Sequence, residues 1–305
     1  MRVKSQTRYH IQRVLTFSGV TLESLTFSGV TMEYSGNETS TFANLRSFHS
    51  GVTVEFPLCD TISFMKKKHI IAGSAGFLRP TPARPELGPV MRYMLDLTGQ
   101  KRPKLCLLAT AGGDDPAWIK NFYDACSGQN VEPGHLQLFP MPNHTDIEDY
   151  VLGQHAIWVG GGSVVNLLAV WEAHGLHRIL RRAWEAGVVL GGISAGAICW
   201  SAGGTTDSYG PELRPVINKH HLLPYSMGVH YDGEEQRRPL FQELIGKGAL
   251  PEGYATDNGV ALHFVNEKLY KTISQEAGKG AYHVSLSEPG QVIEDRIEPQ
   301  LLTAM

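Results

Sequence analysis

An open α/β sheet of parallel strands flanked by helices, with an antiparallel C-terminal part, is the fold class this sequence predicts. Three observations predict it. Short apolar runs alternate with amphipathic stretches between residues 69 and 200, two of those runs end in glycine-rich corners, and the alternation breaks beyond residue 200.

Residues 1–64 read unlike the remainder. "LTFSGVTLES" (15–24) runs directly into "LTFSGVTMEY" (25–34), and "SGVTVEF" (50–56) echoes both. Three polar copies at uneven spacing are too few to bury a solenoid core, although short hairpins or a small edge sheet fit the composition. The expectation is a poorly ordered extension over 1–64, followed by one α/β domain over 65–305. Met65-Lys66-Lys67-Lys68 before "HIIAGSAG" reads as the natural start of a first strand.

From there "HIIAG" (69–73), "KLCLLAT" (104–110), "LQLFP" (136–140), "AIWVG" (156–160) and "VVLGG" (188–192) suit buried parallel strands. The stretches between them suit helices. Asp115 and Pro116 stand as N-cap and first helical residue ahead of Ile119, Phe122, Tyr123 and Cys126. Thr145-Asp146-Ile147-Glu148 forms a capping box whose helix ends near Gly153. Val164, Leu167, Leu168 and Trp171 line a third helix stopped by Gly175, and Ile179, Leu180, Ala183 and Trp184 a fourth stopped by Gly187. A helix around 240–247 and strand-like "VALHF", "KLYKTI" and "AYHVSL" make the antiparallel end.

Bulk properties narrow the function. With 305 residues, 42% hydrophobic and 19% charged, the chain is long enough to bury a real core. A net charge of −3 argues against nucleic acid and anionic membrane as partners. No apolar run is long enough to span a bilayer, and the N-terminus lacks a secretory apolar segment. Cys59, Cys106, Cys126 and Cys199 are scattered without a C-x-x-C pair, which fits a reduced, cytoplasmic setting; their number alone leaves one extracellular disulfide pair open.

Ligands of open α/β sheets collect at the carboxyl ends of the strands, where both glycine corners fall. In "VGGGSVVN" (159–166), Gly160, Gly161 and Gly162 precede a helix with Ser163 as its N-cap, a place that attracts an anion or a developing oxyanion. In "GGISAGA" (191–197), Gly192-Ile193-Ser194-Ala195-Gly196 fits the nucleophile elbow. Each corner has a purely structural reading too, since small residues let helix and sheet approach closely. Neither nucleotide-loop pattern is present, and no H-E-x-x-H or clustered Cys/His set offers a metal site, so no cofactor is expected. A serine nucleophile needs a base and an orienting acid. Asp207 and His230 follow Ser194 at offsets of 13 and 36, with Asp232 and Glu234 close to the histidine.

Four segments, "WVGGGSVVNLL", "GGISAGAICW", "TTDSYG" and "LLPYSMGVHYDGEEQRR", occur in the order that resembles the peptidase E (dipeptidase E) family of serine peptidases. The resemblance covers roughly 65–285. It implies a class I glutamine amidotransferase-like (flavodoxin-like) fold, no metal or organic cofactor, and small peptides as substrates, with a homodimer allowed. It also implies Ser194 as nucleophile, His230 as base, Asp207 as third triad member, and the N–H groups of Gly162 and Ala195 as oxyanion hole. Ser163, Arg237 and Arg238 are the candidates for binding substrate, the two arginines through a carboxylate. Ile198 and Ser163 stand where aspartyl-cleaving members carry asparagine, which marks a divergent branch and sets aspartyl specificity aside.

Other readings use the same corners. A cyanophycinase-like hydrolase has no specific support in the sequence. An α/β-hydrolase esterase shares the elbow, but a histidine only 36 residues after the serine leaves that fold too little chain to close. A glutamine amidotransferase would carry cysteine at 194. From a different class, a non-catalytic module would hold an anionic metabolite at the two corners.

Overall fold

The computed structural model describes residues 67–302, apart from 82, 83, 289 and the side chains of 79–81 and 84, together with the backbone of five earlier strands. The chain divides into two compact units, Met1–Lys66 and Lys67–Met305. In the first, β1 (His10–Val14), β2 (Leu22–Phe27), β3 (Val30–Ser35), β4 (Phe42–Ser47) and β5 (Thr53–Pro57) form an antiparallel sheet in sequential order. The second repeat copy spans the β2–β3 hairpin. The expectation of poor order over 1–64 falls largely on residues outside those described.

The second unit is built on β6 (His69–Gly73), β9 (Lys104–Leu108), β10 (Glu132–Leu136), β11 (Ala156–Val159) and β12 (Val189–Ile193), all parallel in the order β10-β9-β11-β12-β6. A short hairpin, β7 (Leu78–Thr81) and β8 (Arg84–Glu86), follows the first of them. Four of these parallel strands lie on the apolar runs read above. The run "LQLFP" does not; its strand lies earlier, at 132–136. Leu136 is the last residue of that strand and Leu138 is buried beyond it, where Asp114 Oδ2 accepts the N–H groups of Leu138 (2.5 Å) and Phe139 (2.9 Å).

Alternate residues of these strands face opposite layers, as period-two geometry requires. Ile71, Leu105, Leu107, Trp158 and Val189 pack under α1 (Pro89–Asp96) and α2 (Pro116–Cys126). Ile70, Cys106, Leu108, Ile157 and Leu190 face α4 (Val164–Ala173) and α5 (Leu176–Glu185). Caps start the helices. Asp115 Oδ1 accepts from Ala117 N at 2.7 Å, and the short α3 (Ile147–Leu152) is capped by Asp146 rather than by the neighbouring Thr145.

Beyond residue 200 antiparallel strands extend the main sheet, and a second sheet forms that is mixed. β17 (Val260–Val265) and β18 (Lys268–Ser274) extend the main sheet beyond β6, and β21 (Gln300–Leu301) joins its edge. The second, six-stranded sheet holds β13 (Ser201–Thr206), β14 (Arg214–Ile217), β15 (Leu223–Gly228), β16 (Gly253–Thr256), β19 (Ala281–Leu286) and β20 (Val292–Ile297), with α7 (Arg237–Gly246) packed on it. In it β13–β15 and β15–β16 are parallel and the other pairs antiparallel.

Where β17 meets β6, His263 is buried between Tyr93 Oη (2.7 Å) and His69 Nδ1 (2.9 Å). Burial first, then His69 and Lys271, push its pKa from 6.5 down to about 4. Between those values the unfolded chain binds the proton and the folded one does not, so stability falls as pH drops through this window. The loss is expected to reach about 3 kcal/mol. Urea melts at pH 7 and pH 4, compared with those of His263→Phe, measure it. An equal decline in both proteins would remove His263 as the cause.

Candidate active site

Ile193 ends β12, and Ser194 makes the turn into the short α6 (Ala195–Ile198) at φ 59° and ψ −118°. A non-glycine residue in that region is strained and persists only where its surroundings over-determine it. The neighbours do so. A Cβ on Gly192 would lie 2.2 Å from Gly196 O, and one on Gly196 would lie 2.1 Å from Val159 O. The glycines therefore let α6 press against β11 and β12, and that close packing forces the serine into its corner. The close packing and the strained serine corner are one arrangement.

The backbone N–H of Ser194 donates to Gly73 O at 2.9 Å. Its half-buried hydroxyl has no hydrogen-bond partner among the described residues. Across from it runs the other corner: a Cβ on Gly161 would stand 3.3 Å from Ser194 Cβ and 3.8 Å from Oγ. The N–H groups of Gly162 and Ala195 donate to no described group. Ser163 is occupied differently, its hydroxyl accepting from Asn166 N at 3.2 Å as the cap of α4.

His230 follows β15 with φ 52°. Its backbone N–H donates to Ser74 Oγ at 2.8 Å, and that hydroxyl also pairs with Thr256 Oγ1 at 2.8 Å. Gly73 thus fixes Ser194, and the next residue fixes His230, so the carboxyl end of β6 sets both. No hydrogen bond joins the Ser194 hydroxyl to the imidazole in this structure.

The imidazole has a different partner from any carboxylate named above. His230 Nδ1 lies 2.6 Å from Asn258 Oδ1. With the amide oxygen accepting, Nδ1 carries the proton and Nε2 keeps its lone pair. Asn258 is held in turn by its own N–H, which donates to Asp232 Oδ1 at 2.8 Å, while Asp232 Oδ2 pairs with Lys279 at 2.6 Å. Partial burial raises the Asp232 carboxyl, but Lys279 and the Asn258 N–H outweigh it and hold the group below its ordinary pKa.

The remaining sequence candidates stand elsewhere. Asp207 is exposed just past β13 and makes no side-chain bond to His230. Glu234 is paired with the buried Arg237 at 2.9 Å. Arg238 is bonded to Glu294 and lies over the rings of Tyr231 (5.4 Å) and Tyr282 (4.7 Å). Both guanidinium groups are thus paired with carboxylates of the chain itself. Ile198 is buried in the core. Neither Asn258, in the turn "TDNG", nor Ser74, in "GSAG" (73–76), stands among the sequence candidates.

A cavity of about 540 Å³ opens beside Ser194 at the carboxyl ends of β9, β11 and β12. The chain leaves β9 outward to β10 but leaves β11 inward to β12, so the cavity lies at the point where the strand order reverses.

The model of peptidase family S51 matches residues 71–272. The uncharacterized peptidase YgaJ of Bacillus subtilis (strain 168) is 42% identical over 222 residues, covering 72% of this chain and 94% of that protein. The crystal structure of a peptidase from an acI-B1 Actinobacterium superposes with a TM-score of 0.56 at 15% identity, over 77% of this chain and 96% of that one, a likeness of fold. With both glycine corners, Ser194, His230 and Asn258 inside the matched span, the chain belongs to peptidase family S51.

Proposed function

We propose that this chain is a serine-type peptidase that cleaves short peptides, dipeptides among them, through an acyl-enzyme. The observation that carries the reading is the strained Ser194 corner, fixed, like His230, through the end of β6 and set against the Gly161 backbone, with the N–H groups of Gly162 and Ala195 bonded to no described group. Nε2 of His230 takes the Ser194 proton as Oγ attacks the peptide carbonyl carbon, and the carbonyl oxygen gains the negative charge between the two N–H groups. Collapse breaks the C–N bond, the leaving amine takes the proton from His230, and water repeats the sequence to release the acyl group. Hydroxyl and imidazole close on each other when substrate binds, a tightening common in such sites. Hydrolysis of a dipeptide panel by the purified chain tests the reading; no cleavage of any member would count against it.

In this scheme Asn258, rather than Asp207, positions the imidazole. An amide orients the ring but stabilises imidazolium less than a carboxylate does. Asn258→Ala is expected to lower kcat by about 10²-fold with little change in KM. Asn258→Asp should keep the bond and shift the acid limb of the kcat/KM profile to higher pH, because a charge behind His230 favours its protonated form. If Asp207→Asn instead abolished activity and Asn258→Ala did not, the assignment would fall.

Residues 65–305 are proposed to carry the activity, since the family match lies wholly within them; a chain beginning at Met65 tests this. A cytoplasmic setting is proposed from the cysteines, of which Cys106, Cys126 and Cys199 are buried and unpaired. Among the described residues no helix is long and apolar enough to cross a membrane.

A further inference from the structure

We infer that the cavity beside Ser194 receives a large apolar side chain, aromatic or branched, on the residue that forms the acyl-enzyme; this rests on the peptidase reading above. Its walls include Phe77, Leu107, Trp118, Phe122, Trp158 and Ile193, with Ser194 at one side. Among the described residues that line it none is charged, and Asn121 supplies a neutral amide. A volume of about 540 Å³ exceeds what a small side chain fills and falls in the range of sites that enclose a ligand.

The direction of the substrate follows from the proton path. His230 must deliver a proton to the departing amine, so the leaving half of the peptide lies on the His230 side. Neither His230 nor Asn258 borders the cavity, whereas Gly160, Gly161 and Gly162 do. The cavity is therefore on the acyl side, next to the N–H groups that receive the oxyanion. A substrate carboxylate placed there would lose its water and gain no cationic partner among the described residues, a costly exchange. An apolar ring or branched chain loses nothing comparable and gains from leaving water.

The test has two arms. In the first, kcat/KM is measured for Phe-Ala, Asp-Ala, Ala-Ala and Ala-Phe. Phe-Ala is expected to exceed Asp-Ala by at least about 10²-fold, with Ala-Phe close to Ala-Ala. Trp118→Ala should reduce the Phe-Ala over Ala-Ala ratio by about tenfold, and Asn121→Arg should raise Asp-Ala relative to Phe-Ala. The second arm needs no turnover: calorimetry on the Ser194→Ala chain should show Phe-Ala bound at least about tenfold more tightly than Asp-Ala. A preference for Asp-Ala, or for Ala-Phe over Phe-Ala, would overturn the inference. Labelling by a fluorophosphonate separates the two levels. A labelled Ser194 with no apolar preference removes the cavity's role alone, while tight Phe-Ala binding with no labelling removes the serine mechanism and keeps the cavity.

Discussion

Replacing Ser194 by alanine is expected to lower kcat/KM for dipeptides by about 10⁴–10⁶-fold while the fold persists. The hydroxyl makes no ground-state hydrogen bond among the described residues, so its removal orphans no buried partner. Alanine meets the same backbone strain at φ 59° as serine does, and the backbone bond to Gly73 O remains. On the proposed mechanism, what disappears is the attacking oxygen, and with it the acyl-enzyme. The N–H groups proposed to receive the oxyanion and the cavity stay in place, and a residual rate is expected from them. Thermal melting checks that the variant is folded, and initial rates on a dipeptide check the loss. A folded variant that hydrolyses like its parent would end the mechanism.

His230→Ala is expected to cost a comparable amount, and the double variant Ser194→Ala/His230→Ala little more than either. Groups that act as one unit are far from additive, because a base without its nucleophile has no proton to take. His230 is held at φ 52° by its backbone N–H bond to Ser74 Oγ, which survives the substitution. The bond between the imidazole and Asn258 Oδ1 is lost. Losses that multiply in the double variant would show the two residues working independently.

The main sheet was legible because its strands are buried on both faces and read as short runs of Ile, Leu, Val and Ala. The second sheet was legible only at β19, the run "AYHVSL". Its strand "SAGGTT" is made of small residues and "LPYSMG" carries a proline, and their pairing depends on distant chain; a Cβ on Gly203 would lie 2.3 Å from Val216 O. The third strand lies at 132–136 rather than on "LQLFP" because the N–H groups of Leu138 and Phe139 bond to Asp114 and not to a neighbouring strand. In the site, Ser194 announced itself because a nucleophile elbow is a local pattern. The partner of His230 did not, because Asn258 lies 28 residues further on and reaches the imidazole only when β16 and β17 are in place. Chain order favoured Asp207, which the fold leaves exposed at the end of β13. Arg237 and Arg238 read as free cations in a sequence, where the pairing with Glu234 and Glu294 cannot be seen.

The most direct measurement is the reaction of the full chain with a fluorophosphonate, followed by peptide mapping of the adduct. Only a serine whose proton is taken by a nearby base reacts readily with such a reagent. One adduct per chain is expected, located on Ser194, absent from Ser194→Ala and greatly slowed in His230→Ala. No adduct on Ser194 in a chain that still cleaves dipeptides, or an adduct on another serine, would contradict a Ser194 nucleophile.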